Sequence, residues 1–83
     1  MKVIKRDGTT VDFDGSKIII AIQKANKVVD ESDRIEEDKI KEIARHVQNM
    51  KRKRLLVEDI QDIVEHALMD AGKFELAKSY IIY

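Results

Sequence analysis

The sequence predicts an α+β fold: a four-helix bundle capped by a small three-stranded antiparallel β-sheet, in one domain over residues 1–83. Three observations lead there. An Asp7-Gly8 pair separates two short arms of alternating character near the N-terminus. Four later segments repeat their apolar residues at intervals of three and four. Arg54-Leu55-Leu56-Val57, between the second and third of these segments, is too short for a helix and reads as a third strand. Strands this short form no stable sheet alone, so the sheet must pack over one end of the helices.

Residues 2–13 read as a hairpin, with Val3-Ile4 as one arm and Thr10-Val11-Asp12-Phe13 as the other. Asp-Gly favours a type I′ turn, with positive φ at both central positions. Asp14-Gly15-Ser16 opens a helix, with Asp14 or Ser16 able to cap it. Its stripe is Ile18, Ile22, Ala25 and Val29, widened by Ile19 and Ala21. Glu31-Ser32-Asp33 breaks the pattern. Asp33 and Glu36 have capping-box spacing for a second helix, whose stripe is Ile40, Ile43, Ala44, Val47 and Met50. The basic run Lys51-Arg52-Lys53-Arg54 suits that helix's negative end. The third helix carries Ile60, Ile63, Val64, Ala67, Leu68 and Ala71 and stops at Gly72. The fourth carries Leu76, Ala77, Tyr80 and Ile81.

Bulk properties narrow the function. The formal net charge is zero, so no overall field draws nucleic acid or a membrane. There is no cysteine, which removes disulfides and thiolate metal sites and is compatible with a cytoplasmic protein. The apolar run Ile18-Ile19-Ile20-Ala21-Ile22 is far shorter than the ~20 residues of a membrane span. Met1 reads as a natural start, while Tyr80-Ile81-Ile82-Tyr83 stops inside an apolar-periodic stretch without a cap. The expectation is an N-terminal fragment of a larger protein.

No phosphate-loop or dinucleotide glycine motif is present, nor a context for a serine or cysteine nucleophile. His46 and His66 fall on separate helices, and the carboxylates spread along helix faces as ion-pairing partners would. The expectation is a domain without catalytic or metal residues. The concentrated feature is Lys5-Arg6 leading into Asp7-Gly8, with Lys17 in the first turn of the next helix. Cations beside free backbone N–H groups at a positive helix end make an anion site, although exposed charges at a hairpin tip look the same in sequence. The run 51–54 reads first as a solvated loop. Tyr80 and Tyr83 read first as core or rim residues, with base stacking as the functional alternative.

The stretch Val3-Ile4-Lys5-Arg6-Asp7-Gly8, followed by Val11-Asp12-Phe13-Asp14, Lys17-Ile18, Ala21-Ile22 and Lys24-Ala25, resembles the opening of the ATP-cone family. Val57-Glu58-Asp59-Ile60-Gln61, Val64-Glu65 and Leu68-Met69 resemble its third helix, and Leu76 to Tyr83 its fourth. The resemblance implies a regulatory domain that binds ATP or dATP, with Mg2+ accompanying the triphosphate. It would control the overall activity of a ribonucleotide reductase through oligomeric state. Its partners would be the catalytic domain of that reductase and a second cone, with neither membrane nor direct nucleic-acid contact. By position, Val3 would offer backbone groups to adenine, and Lys5, Arg6 and Lys17 would hold phosphates. Val11 and Asp14 would line the base and ribose, and Gln61 would face the nucleotide. Other family members place histidine at the position of Gln61 and an acidic residue at that of Val11. The wording of the third and fourth helices is most similar to the anaerobic triphosphate reductases. The rival readings are the cone of a nucleotide-responsive transcriptional regulator, which would carry a zinc ribbon ahead of it, and a helical DNA-binding module.

Overall fold

The computed structural model describes residues 1–82; Tyr83 lies outside the described residues. The order is β1 (Lys2–Ile4), β2 (Thr10–Asp12), α1 (Gly15–Val28), α2 (Glu37–Gln48), β3 (Arg54–Leu56), α3 (Val57–Asp70) and α4 (Phe74–Ile82). A 3-10 turn over Glu31–Asp33 joins α1 to α2. Helix α1 packs on α2 and α4, and α3 packs on α2 and α4.

The hairpin forms where expected, but not with the expected turn. The Gly8 N–H donates to the Lys5 carbonyl at 3.0 Å, and the Lys5 N–H donates to the Thr9 carbonyl at 2.8 Å. Gly8 has φ +86°, and no non-glycine residue among those described has positive φ. A type I′ turn would need positive φ at Asp7 as well. The tip is a tight turn over Lys5–Gly8 closed by a glycine bulge, the geometry of a three-residue hairpin loop. Asp7 prefers this arrangement because its Oδ1 accepts from the Thr9 N–H at 3.0 Å and the Thr9 hydroxyl at 2.6 Å.

The sheet is mixed, in the order β2-β1-β3, rather than wholly antiparallel. Strand β1 pairs antiparallel with β2 and parallel with β3, placing Lys2 opposite both Asp12 and Arg54. The connections dictate this. Strand β2 ends beside the start of β1, where the Phe13 N–H donates to the Met1 carbonyl at 2.9 Å. Helix α1 leaves from that end and the α1–α2 pair returns the chain to it. Strand β3 therefore begins next to Lys2, whose N–H donates to the Lys53 carbonyl at 2.9 Å, and must run in the direction of β1.

The helix ends follow local chemistry with one exception. Asp14 caps α1 through Oδ1, accepting from the Ser16 N–H at 3.0 Å and the Ser16 hydroxyl at 2.6 Å. The expected Asp33–Glu36 box does not form. Asp33 lies inside the 3-10 turn, and Glu36 precedes α2 without a side-chain cap bond. Asn26 organises this connection instead. Its amide donates to the Ile35 carbonyl at 2.9 Å and its Oδ1 accepts from the Ile35 N–H at 3.1 Å, which holds buried Ile35 against the core. Gly72, at φ +77°, ends α3 in a Schellman motif: its N–H reaches the Met69 carbonyl at 2.9 Å and that of Lys73 the Leu68 carbonyl at 3.0 Å.

The core is aliphatic. Ile22, Ile40, Val47, Val64, Leu68 and Leu76 are fully enclosed, and Val3 and Leu55 bring the sheet onto them. Two expected stripe residues lie outside it: Ala71 and Ile81 are exposed at the C-terminal ends of α3 and α4.

Candidate functional site

A cavity of about 190 Å³ opens where the sheet meets the helices. Strand β1 supplies Val3, the hairpin Lys5, and the second arm Val11 with the Asp12-Phe13-Asp14 segment that follows it. Helix α1 contributes Lys17, Ile18 and Ala21 from its first two turns. Helix α3 contributes Val57, Ile60 and Gln61, and α4 contributes Tyr80. Most of the wall is apolar, and the polar groups gather towards the hairpin and the start of α1.

Six of the seven residues singled out from the sequence therefore meet at one place: Val3, Lys5, Val11, Asp14, Lys17 and Gln61. Arg6 does not. Its guanidinium turns away from the cavity to α3, with Nε 3.3 Å from a Glu58 carboxylate oxygen and an Nη donating to Gln61 Oε1 at 3.5 Å. The i, i+1 relation in the hairpin loop sends the Lys5 and Arg6 side chains in different directions.

The charges around the cavity are unevenly committed. Asp12 forms an ion pair with Lys2 across the hairpin. That hydrogen bond and the Lys2 charge hold its carboxyl below the usual carboxylate range. Asp14 is held low by the Ser16 hydroxyl first and the Ser16 N–H second. Both carboxylates are thus ionised and already engaged. Lys5 and Lys17, by contrast, enter no ion pair within 4.0 Å among the described residues. Two cations outside any ion pair among the described residues, and the start of a fourteen-residue helix capped by the Asp14 carboxylate, flank a mostly apolar hollow. The arrangement suits a ligand with a flat apolar body and an anionic tail. Burial raises the phenol pKa of Tyr80, so Tyr80 presents a neutral ring and a hydroxyl at the wall.

The sequence reading names Val3 and Val11 on the apolar wall and offers Tyr80 for base stacking, but gives Phe13, Ile18, Val57 and Ile60 only strand or helix positions and Ala21 only a widened stripe. The available signal was the width of that α1 stripe. Ile18 and Ile22 satisfy the core, so Ala21 beside them serves another surface. The basic run lies away from the cavity, since none of Lys51, Arg52, Lys53 or Arg54 lines it. Among the described residues no group of three or more histidine, cysteine, aspartate or glutamate side chains could hold a metal ion. No helix there is long and apolar enough to cross a membrane.

Comparison with known families gives a match over residues 1–83 to the family described as ATP cone domain. Similar curated proteins are reductases of several kinds. The chain is 35% identical over 94 positions to the ribonucleoside-diphosphate reductase subunit alpha of Chlamydia muridarum, covering all of this chain and 9% of that protein. It is 41% identical over 88 positions to the vitamin B12-dependent ribonucleoside-diphosphate reductase of Thermoplasma acidophilum, covering 99% of this chain and 11% of that one. It is 37% identical over 82 positions to the anaerobic ribonucleoside-triphosphate reductase of Haemophilus influenzae, covering 98% and 12%. The chain spans about a tenth of the length of the relatives it matches.

Proposed function

The chain belongs to the ATP cone domain family, and from that premise we propose that it is an allosteric ATP- or dATP-binding domain controlling a ribonucleotide reductase, without catalytic activity of its own. One observation carries this reading: residues from position 3 to position 80 converge on a single cavity, and Lys5 and Lys17 on its wall enter no ion pair among the described residues. At about 190 Å³ the cavity is smaller than the ~300–1,000 Å³ of typical small-molecule sites. It accommodates a planar base and part of a sugar, and leaves a polyphosphate outside. The hairpin register gives the Val3 N–H and carbonyl to Val11, so Val3 meets the base with its side chain, beside Val11 and the apolar wall, while Asp14 and Gln61 address the ribose and base edges. Lys5, Lys17 and the α1 N-terminus receive the phosphates, with Arg6 in reach once it leaves α3. Mg2+ would travel with the triphosphate.

The regulatory step is linkage. A nucleotide shifts an oligomerisation equilibrium only by its difference in affinity between the two states. A base in this cavity touches the hairpin, α1, α3 and α4 together, so it can fix their relative positions and thereby the surface offered to a reductase or to another cone. ATP and dATP differ by one hydroxyl, worth about 1–3 kcal/mol where its loss leaves a buried group unpaired. A small difference amplified by assembly is the expected form of control. The finer form of this proposal is a triphosphate-reductase parent, and its ground is the wording of the third and fourth helices.

Calorimetric titration of the chain with ATP, dATP and duplex DNA tests the reading. Saturable binding of both nucleotides with none of DNA is expected. DNA binding without nucleotide binding would favour the helical DNA-binding alternative and refute this one.

A further inference from the structure

Of the three candidate phosphate ligands, Lys5 and Lys17 line the cavity and enter no ion pair among the described residues, while Arg6 is held elsewhere. Two residues of α3 hold it. Glu58, in the first turn, lies 3.3 Å from Nε, and Gln61, one turn on, accepts from an Nη at 3.5 Å. Gln61 also lines the cavity, so the guanidinium sits one side chain away from the ligand space. Lys5, Val57 and Gln61 form the partition, with the cavity on one side and an open hollow lined by Arg6, Asp7 and Ile81 on the other.

We propose that Glu58 is a specificity-determining residue: it competes with the ligand for Arg6, so only a tail long enough and charged enough to draw Arg6 off α3 gains its contact. This inference rests on the nucleotide reading above. A ligand with one phosphate meets Lys5 and Lys17 and leaves the Arg6–Glu58 pair intact. A triphosphate extends past the partition and exchanges places with the Glu58 carboxylate on the guanidinium. Arg6 suits such an exchange because its fork grips a phosphate through two parallel hydrogen bonds, whereas Glu58 engages it only through Nε. The pair is well exposed on both sides, so it is weak enough to be displaced.

The experiment is calorimetric titration of the 83-residue chain with ATP, ADP, AMP and adenosine, for wild type, Glu58→Gln, Arg6→Ala and the double variant. Both side chains are exposed, and melting without ligand checks that each variant folds. Glu58→Gln is expected to tighten ATP by about two- to fivefold, the ordinary worth of an exposed ion pair, and to leave AMP and adenosine unchanged. In the Arg6→Ala background the same substitution should have no effect. Unchanged or weaker ATP binding by Glu58→Gln, while Arg6→Ala still lowers affinity, overturns the competition and leaves the nucleotide site standing. Equal tightening with and without Arg6 also overturns it, since the carboxylate would then act only through its field. Failure of wild type to bind any of the four ligands removes the functional reading and this inference with it.

Discussion

Ala21→Leu separates the cavity's role as a ligand site from its role as a gap in the packing. Ala21 is half-buried on the α1 wall, and a leucine there extends into the hollow. Three added carbons would contribute up to about 2.4 kcal/mol if wholly buried, at about 0.8 kcal/mol each. The cavity is open on one side, so about 1 kcal/mol is the working expectation, and leucine costs little as a helix former. For a domain of this size 1 kcal/mol moves the melting temperature by about 4–8 °C. The variant without ligand should therefore melt higher than wild type. Binding should change the other way, because the leucine occupies the space assigned to the base. Losing enclosure and stacking of one base costs about 1–3 kcal/mol, or about five- to 150-fold in Kd. Differential scanning fluorimetry reads both effects. Wild type at a hundred times Kd gains about 2.7 kcal/mol from ATP, about 11–22 °C, and at the same ATP concentration the variant should lose between about a third and about nine-tenths of that gain. A variant that melts higher and still binds ATP with wild-type affinity would show that the base lies elsewhere.

Four further outcomes are expected. Lys5→Ala and Lys17→Ala should each weaken ATP by about tenfold or more, since a charge-assisted hydrogen bond to a partly desolvated phosphate is worth about 1.5–3 kcal/mol. Neutralising Lys51 to Arg54 should cost less and flatten the salt dependence of Kd, as measured by titration at two ionic strengths. The Asp14 carboxyl has a depressed pKa in the folded chain, so its stabilising effect is complete above the unfolded value near pH 4 and is lost as pH falls through the folded value. Asp14→Asn should keep the α1 cap and make the fall in melting temperature between pH 5 and 2 shallower, whereas Asp14→Ala should lower it at neutral pH too. Ile22→Ala empties a fully enclosed position at a cost of about 2–5 kcal/mol. That is a large part of the roughly 4–12 kcal/mol available to 83 residues, and chemical denaturation should show the unfolding midpoint moved to lower denaturant with the slope unchanged.

The helices were legible because their apolar residues recur at helical spacing and their ends carry recognisable chemistry, as at Asp14 and Gly72. Strand direction was not. Nothing in Arg54-Leu55-Leu56 states whether it runs with β1 or against it, because that depends on where the α1–α2 pair returns the chain. The Asp7-Gly8 pair marked the turn and misled about its type, since Thr9 offers Asp7 two donors that favour negative φ. At the site, charged residues stood out and much of the apolar wall did not, because Phe13 and Ile60 fit strand and helix patterns equally well without a ligand. Arg6 shows the converse limit. Its neighbours in sequence place it with Lys5, but its partner Glu58 is 52 positions away and visible only in three dimensions.

Among the described residues, nothing between Ala21 and Val57 lines the cavity. The chain thus divides into two cavity-lining blocks joined by a segment that supplies core side chains and brings strand β3 back beside Lys2. Substitutions on the exposed face of α2 therefore leave the cavity wall untouched, while substitutions in either block reshape it.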